Sequence, residues 1–323
     1  MSQSNTATDP QSSLPLLDDF LLHIQANNYS EETLYNYERD LRTFEHFLQV
    51  EMDALPFPSL TKRTIEQFKA YLNSRDRKTA SGETAGRTLS AGSINRTLTS
   101  LRRYLTYLID MDQPCPVDPA SIKLLRMGKK HPQVSELPDL VKLIEAPMRF
   151  ERDPVVQLRN RAALETLFAS GMRISELITL KRDQLDSSGK IFIQGKGKKQ
   201  RFIYLTERAQ EHLGKYLAAR DDDSPYLFVA RRGRNAGKKA AHLSPNYLQM
   251  KIKRYRELLG INVPTSAHSL RHGFATYLAE SGANPAAIQI LLGHESLETT
   301  TRYVHASDRY AEDTHQKFHP LQE

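Results

Sequence analysis

The 323-residue chain predicts a mainly α (α+β) fold in two parts. These are a helical N-terminal domain and a mixed, mostly helical second domain with one small β-hairpin. Three observations carry this. Apolar residues recur at helical spacing in about four runs before residue 112. A stretch with four prolines, DMDQPCPVDPASIKLLRMGKKHPQ, breaks all periodicity before residue 133. β-rich patterning stands out in one place, where two short runs flank Gly195–Lys199.

Residues 1–13, MSQSNTATDPQSS, are polar and lack the basic start and apolar middle of a secretion signal, so they read as a disordered lead. A first helix is expected around Leu16–Ile24. Ser30 can cap a second, in which Leu34, Tyr37, Leu41, Phe44, Phe47 and Leu48 share a face. Thr61 can cap a third with Ile65, Phe68 and Leu72. The polar, Gly-containing NSRDRKTASGETAGRT then reads as an exposed loop. SAGSINRTLTSLRRYLTYLID gives the last helix, with Ile94, Leu98, Leu101, Leu105 and Leu108 on one face and Arg96, Arg102 and Arg103 on the other. The first domain is thus placed at 14–112, a linker at 113–133 and the second domain at 134–323.

In the second domain, NRAALETLFASGMRISELITL is helical with an interruption at Gly171. KIFIQGKGKKQRFIYL is a hairpin with a basic tip. SAHSLRHGFATYLAESG is a helix capped by Ser266 and stopped at Gly282. NPAAIQILLG opens with Asn-Pro, a cap followed by proline at the first helical position, and stops at Gly293. Ser296 can cap a short helix carrying Tyr303.

The composition, 39% hydrophobic and 26% charged, is that of a globular chain, and no apolar run is long enough to span a bilayer. The single Cys115 excludes an internal disulfide framework and a cysteine-rich zinc site, which fits a reducing, cytoplasmic setting. Net charge is +7. Residues 1–130 hold 16 Lys and Arg against 16 Asp and Glu, and the rest holds 29 against 22, so the second part carries the whole excess. A basic balance favours an acidic partner such as nucleic acid.

Singly, the polar residues of the second domain read as structural. Arg173 could pair with Glu176, one helical turn on, Lys196 could be a solvated hairpin tip, and His268 a packed histidine. Together they answer one chemical need. If a tyrosine attacks a DNA phosphodiester, its phenol, with a pKa of about 10, must lose its proton. Arginine forks hold the phosphate oxygens, histidines add donors and move protons, and a lysine protonates the departing alkoxide. The product is a phosphotyrosine ester, which keeps the bond energy, so neither ATP nor a metal is called for.

The order Arg173, Lys196, His268, Arg271, His294, Tyr303 resembles the tyrosine site-specific recombinases. The boxes SGMRISEL, GKGKKQRFIYL, HSLRHGFATYLAESG and ILLGHESLETTTRYVH carry the resemblance, which is strongest to the Xer-type branch and spans nearly the whole chain. It implies a SAM-like helical core-binding domain followed by a tyrosine-recombinase catalytic domain. It also implies residue roles. Arg173 and Arg271 clamp the scissile phosphate, and His268 and His294 hydrogen-bond it. Lys196 is the general acid, with Lys198 the alternative, and Tyr303 is the nucleophile. Glu176 would orient Arg173, and His272 reads as structural. Lys198, Lys199, Arg201, Arg96, Arg102 and Arg103 are the expected DNA contacts, joined by the basic loop ARRGRNAGKKAAHLS. The partner would be double-stranded DNA with a specific site, bound by four protomers on two sites through a Holliday junction, with room for a partner recombinase or accessory protein. No cofactor, metal or membrane insertion is expected, and the setting would be cytoplasmic and nucleoid-associated. Xer-like dimer resolution is the favoured task; an integrase or transposase of a mobile element is the alternative.

Other classes fit less well. His268 and His272 stand four apart as in a zinc helix, but Ser269 replaces the glutamate of that motif and no third ligand stands out. GKIFIQGKGK lacks the spacing and the Ser or Thr of a phosphate-binding loop. A DNA-binding protein without cleavage has no use for Tyr303, His294 and the arginine pair. A type IB topoisomerase shares the chemistry but not the two-domain layout or the closing DTHQKFHP, which resembles the Xer tail.

Overall fold

The structure, a computed structural model, describes residues 13–79, 82–127, 135–186, 188–194, 200–231 and 242–293. The chain divides into two compact units, Met1–Lys130 and His131–Glu323.

The first unit is helical. It holds α1 (Leu17–Ala26), α2 (Glu31–Val50), α3 (Lys62–Asn73) and α4 (Ala91–Asp110). The side chains of Ser30, Thr61 and Ser90 accept from the backbone N–H three residues on, satisfying donors that a helix start leaves unpaired. The apolar faces meet in an aromatic core. Phe20 packs edge-on against Tyr104 at 5.6 Å, and Phe44 against Phe68 at 4.8 Å. The Tyr104 hydroxyl, buried with its ring, donates to the Pro15 carbonyl at 2.6 Å. The first half of the expected linker packs onto this unit: Val117 and Ile122 are buried in its core, and Asn95 on α4 exchanges two hydrogen bonds with Leu125. Proline stops helices but leaves apolar neighbours free to be buried.

The second unit is built around α6 (Pro154–Ser170), which is buried on nearly every side. A surface helix would show a single apolar stripe, whereas α6 is packed by α5 (Leu137–Phe150), α8 (Glu207–Ala218) and α10 (Ala267–Glu280). The hairpin pairs β1 (Lys190–Gln194) with β2 (Gln200–Tyr204), antiparallel, with Ile193 opposite Arg201. α7 (Ile174–Thr179), α9 (Pro245–Leu258) and α11 (Pro285–Leu292) complete the unit. Ser266 caps α10, and Asn284 caps α11 with Pro285 at the first helical position. The architecture is the expected one: mainly helical, with a small two-stranded sheet. No helix among the described residues is long and apolar enough to cross a membrane.

Candidate active site

Three elements place the catalytic candidates. Gly171 ends α6 at φ +60°, and a Cβ there would stand 2.3 Å from the Phe274 ring, so glycine is required twice over. The chain then turns so that Arg173 occupies the cap position of α7. α10 presents His268 and Arg271 in its first turns.

Glu176 is the hub. Its side chain is 6% exposed and accepts four bonds. The Arg173 backbone N–H donates to Oε2 at 2.8 Å, and the Arg173 guanidinium to Oε1 at 3.1 Å. Arg201 on β2 forks onto both oxygens at 2.9 and 2.8 Å. Burial pulls the Glu176 pKa up, and the Arg201 fork, the Arg173 N–H and the two cations pull it down further, leaving it below the usual value. The carboxylate is therefore charged and fixed, as a holder for Arg173 should be.

Arg201 corrects an expectation. It was expected on a DNA surface, yet its side chain is 8% exposed and fully engaged: beyond Glu176, its Nε donates to the Leu291 carbonyl at 3.0 Å. The reason is strand alternation. Arg201 shares the inward face with Ile203 and lies opposite Ile193, both buried, whereas Phe192 and Phe202 face out. That signal was present in QRFIY.

Arg271, 4% exposed, donates to the Gly171 carbonyl at 2.8 Å and to the Leu292 carbonyl at 2.7 Å. The adjacent carbonyls that end α11 are thus each held by a buried arginine. His268 is exposed. Burial against its neighbours, then the charges of Arg271 and Arg173, lower its pKa. Both arginines act on this ring, so Arg173, His268 and Arg271 share one electrostatic neighbourhood. His272, one turn along α10, puts its Nε2 2.7 Å from His268 Nε2, and burial, then His268 and Arg271, push its pKa down to about 4.

Lys196, Lys198, Lys199, His294 and Tyr303 lie outside the described residues, as do most of the basic loop after Ala230 and the tail. On α4, two of the three expected contacts are engaged internally. Arg96 forks onto the buried Asp40, at 3.2 Å to Oδ2 and 3.0 Å to Oδ1, and Arg102 donates to the Ile122 carbonyl. Arg96 nevertheless keeps 48% of its side chain exposed, Arg102 is half-buried and Arg103 is exposed. Among the described residues, no group of three His, Cys, Asp or Glu is placed to hold a metal ion.

Residues 136–309 match the phage integrase family, and residues 17–111 match the phage integrase N-terminal SAM-like domain. The chain is 31% identical over 318 residues to tyrosine recombinase XerC of Thermodesulfovibrio yellowstonii, covering 94% of this chain and 96% of that one. It is 32% identical over 316 residues to tyrosine recombinase XerD of Shewanella oneidensis, covering 95% and 97%. The fold is similar to that of the XerH site-specific recombinase in its post-cleavage complex with palindromic difH substrate, with a TM-score of 0.68, 21% identity and coverage of 93% and 83%. It is also similar to the Tn1549 transposon integrase in complex with transposon right end DNA, with a TM-score of 0.68, 19% identity and coverage of 94% and 98%.

Proposed function

The chain belongs to the phage integrase family of tyrosine recombinases, and from that premise we propose that it cuts and rejoins duplex DNA at one sequence through a 3′-phosphotyrosine intermediate. The observation that carries this is the convergence of Arg173, His268 and Arg271, with Glu176 holding Arg173 from behind.

In this reading Arg173 and Arg271 are the cations for the oxygens of the scissile phosphate, where charge develops as the phosphorus is attacked, Arg271 while it also holds the Gly171 and Leu292 carbonyls from its buried position. Tyr303 supplies the attacking oxygen. Its proton passes to His268, and His294 adds a hydrogen bond to the phosphate. Lys196 gives a proton to the 5′-oxygen as its bond to phosphorus breaks, leaving a free 5′-hydroxyl and the 3′-phosphate on tyrosine. One ester replaces another, so the step reverses without ATP, and none of these roles calls for a metal. Arg96, Arg103, Lys198 and Lys199 would meet the DNA backbone, making affinity fall steeply with salt. Four protomers acting on two sites would exchange strands in turn through a Holliday junction. Dimer resolution of chromosomes or plasmids is the task we assign, supported by XerC and XerD relatives aligned over nearly the full length of both chains.

Denaturing capture of protein–DNA adducts from expressing cells, with sequencing of the attached DNA, tests this. Adducts at one short site, lost in Tyr303→Phe, are expected. Equal adducts in both proteins, or none in either, would leave a DNA-binding protein without cleavage.

A further inference from the structure

His268 and His272 project from consecutive turns of α10, with ring centroids 4.2 Å apart, planes crossed at 83° and Nε2 atoms 2.7 Å apart. Two nitrogens at that distance share one proton. With none, two lone pairs face each other; with two, the N–H bonds collide. The contact therefore fixes both rings at once: one donates through Nε2–H and the other accepts.

The surroundings decide which ring donates. His268 is exposed and His272 is the more enclosed. Among the described residues, Arg271, on the same helix, acts on both rings, and Arg173, at the start of α7, acts on His268. His268, the exposed ring, is the one that can carry an extra proton, and an imidazolium can only donate, so His272, which burial, His268 and Arg271 keep neutral down to about pH 4, is the ring left to accept. An imidazole held at Nε2 has only Nδ1 left to work with.

On the recombinase reading above, in which His268 meets the scissile phosphate, we propose that His272 is a positioning residue: it accepts the Nε2–H of His268 and so makes Nδ1 the nitrogen that His268 offers to the reaction. Neutral His268 then holds an unprotonated Nδ1. As the Tyr303 oxygen bonds to phosphorus, its proton moves to that Nδ1. The resulting imidazolium donates from both nitrogens, to His272 and to a phosphate oxygen, and the reverse step returns the proton to the phenol. His272 touches neither DNA nor tyrosine in this scheme and acts through the ring it holds, as outer partners of metal-bound histidines do.

Two measurements test it. The first is histidine 15N NMR on the DNA-free full chain near pH 7. A protonated Nε2 and an unprotonated Nδ1 on His268 are expected, a pattern lost in His272→Leu. The second is the single-turnover rate of adduct formation between pH 5 and 8, on a duplex carrying the sequence recovered by adduct capture. His272→Leu should be at least roughly tenfold slower, with the acid limb moved to lower pH, because an apolar neighbour further disfavours the charged ring. His272→Gln, whose amide oxygen can accept the same bond, should stay within about threefold of wild type. Thermal unfolding establishes that both variants fold. An unprotonated His268 Nε2, or His272→Leu at the wild-type rate and pH profile, or a folded His272→Gln as slow as His272→Leu, would overturn the proposal. A wild-type chain that forms no adduct would instead sink the recombinase reading, and the NMR result, which needs no activity, keeps the two failures apart.

Discussion

Replacing Arg201 with alanine separates a buried strut from a phosphate contact. In the folded chain Arg201 forks onto Glu176 at 2.9 and 2.8 Å and ties Leu291 at 3.0 Å. Both partners of the ion pair are below one-tenth exposed. Removing the cation leaves a buried carboxylate with Arg173 as its remaining ionic partner, and breaking one side of such a pair costs about 3–5 kcal/mol. For a unit of this size each kcal/mol lowers Tm by about 2–4 °C, so the catalytic unit should melt roughly 6–20 °C lower at pH 7. The pH dependence has a definite sign. In wild type the depressed Glu176 pKa contributes stability above the unfolded carboxylate value, and that stability is lost as pH falls through the folded one. In Arg201→Ala burial dominates and the Glu176 pKa rises, so the gap between the two proteins should narrow as pH drops from 7 toward 4. Calorimetry at several pH values reads this directly. If Arg201→Ala melts with wild type but flattens the log–log salt dependence of DNA binding by about one, Arg201 is a phosphate contact and the strut argument is wrong.

Other consequences are as direct. Gly171→Ala forces a Cβ to within 2.3 Å of the Phe274 ring at a φ of +60°, and a loss of about 2–4 kcal/mol by denaturant titration is expected. With its pKa held near 4, His272 is neutral in the folded chain, while the unfolded chain takes up a proton below about pH 6.5. Stability present at pH 7 should therefore fall by on the order of 2–3 kcal/mol between pH 6.5 and 4, and His272→Gln should flatten that window. Adduct formation should be unchanged by EDTA; dependence on an added divalent ion would contradict side-chain cations as the electrophiles.

Much of the fold was legible because its signals are local. A cap needs one side-chain oxygen two or three residues before an N–H, so Ser30, Thr61, Ser266 and Asn284 could be read from spacing alone. The order of catalytic candidates was read from short boxes, and of these Arg173, His268 and Arg271 fall within the described residues. What sequence hid was long-range pairing. Arg96 reads as one of a basic row until Asp40, 56 residues away, is seen buried beneath it and shared with Ser100. Arg201 reads as part of a basic tip until its strand face is known. Gly171 reads as a helix stop, and only packing reveals that Phe274 also needs the space. Nothing in HSLRH shows that the second histidine reaches back to the first; a four-residue separation permits the contact without requiring it.

The two arginines that hold the end of α11 have a consequence for delivery of the nucleophile. Gly293 follows carbonyls fixed by Arg201 and Arg271, and Tyr303 lies ten residues beyond it. Fully extended, ten residues span at most about 33–36 Å. The phenol is therefore tethered, and its reach is measured from a point in contact with its own Arg271. On the proposed function, attack by Tyr303 on a phosphate held by its own Arg271 would be intramolecular, with an effective concentration set by tether length rather than by how much protein the cell contains. Lengthening the tether should be cheap in closure entropy, about 0.6 kcal/mol per doubling. Loosening its fixed end, by removing either arginine, should therefore slow adduct formation more than lengthening the tether does.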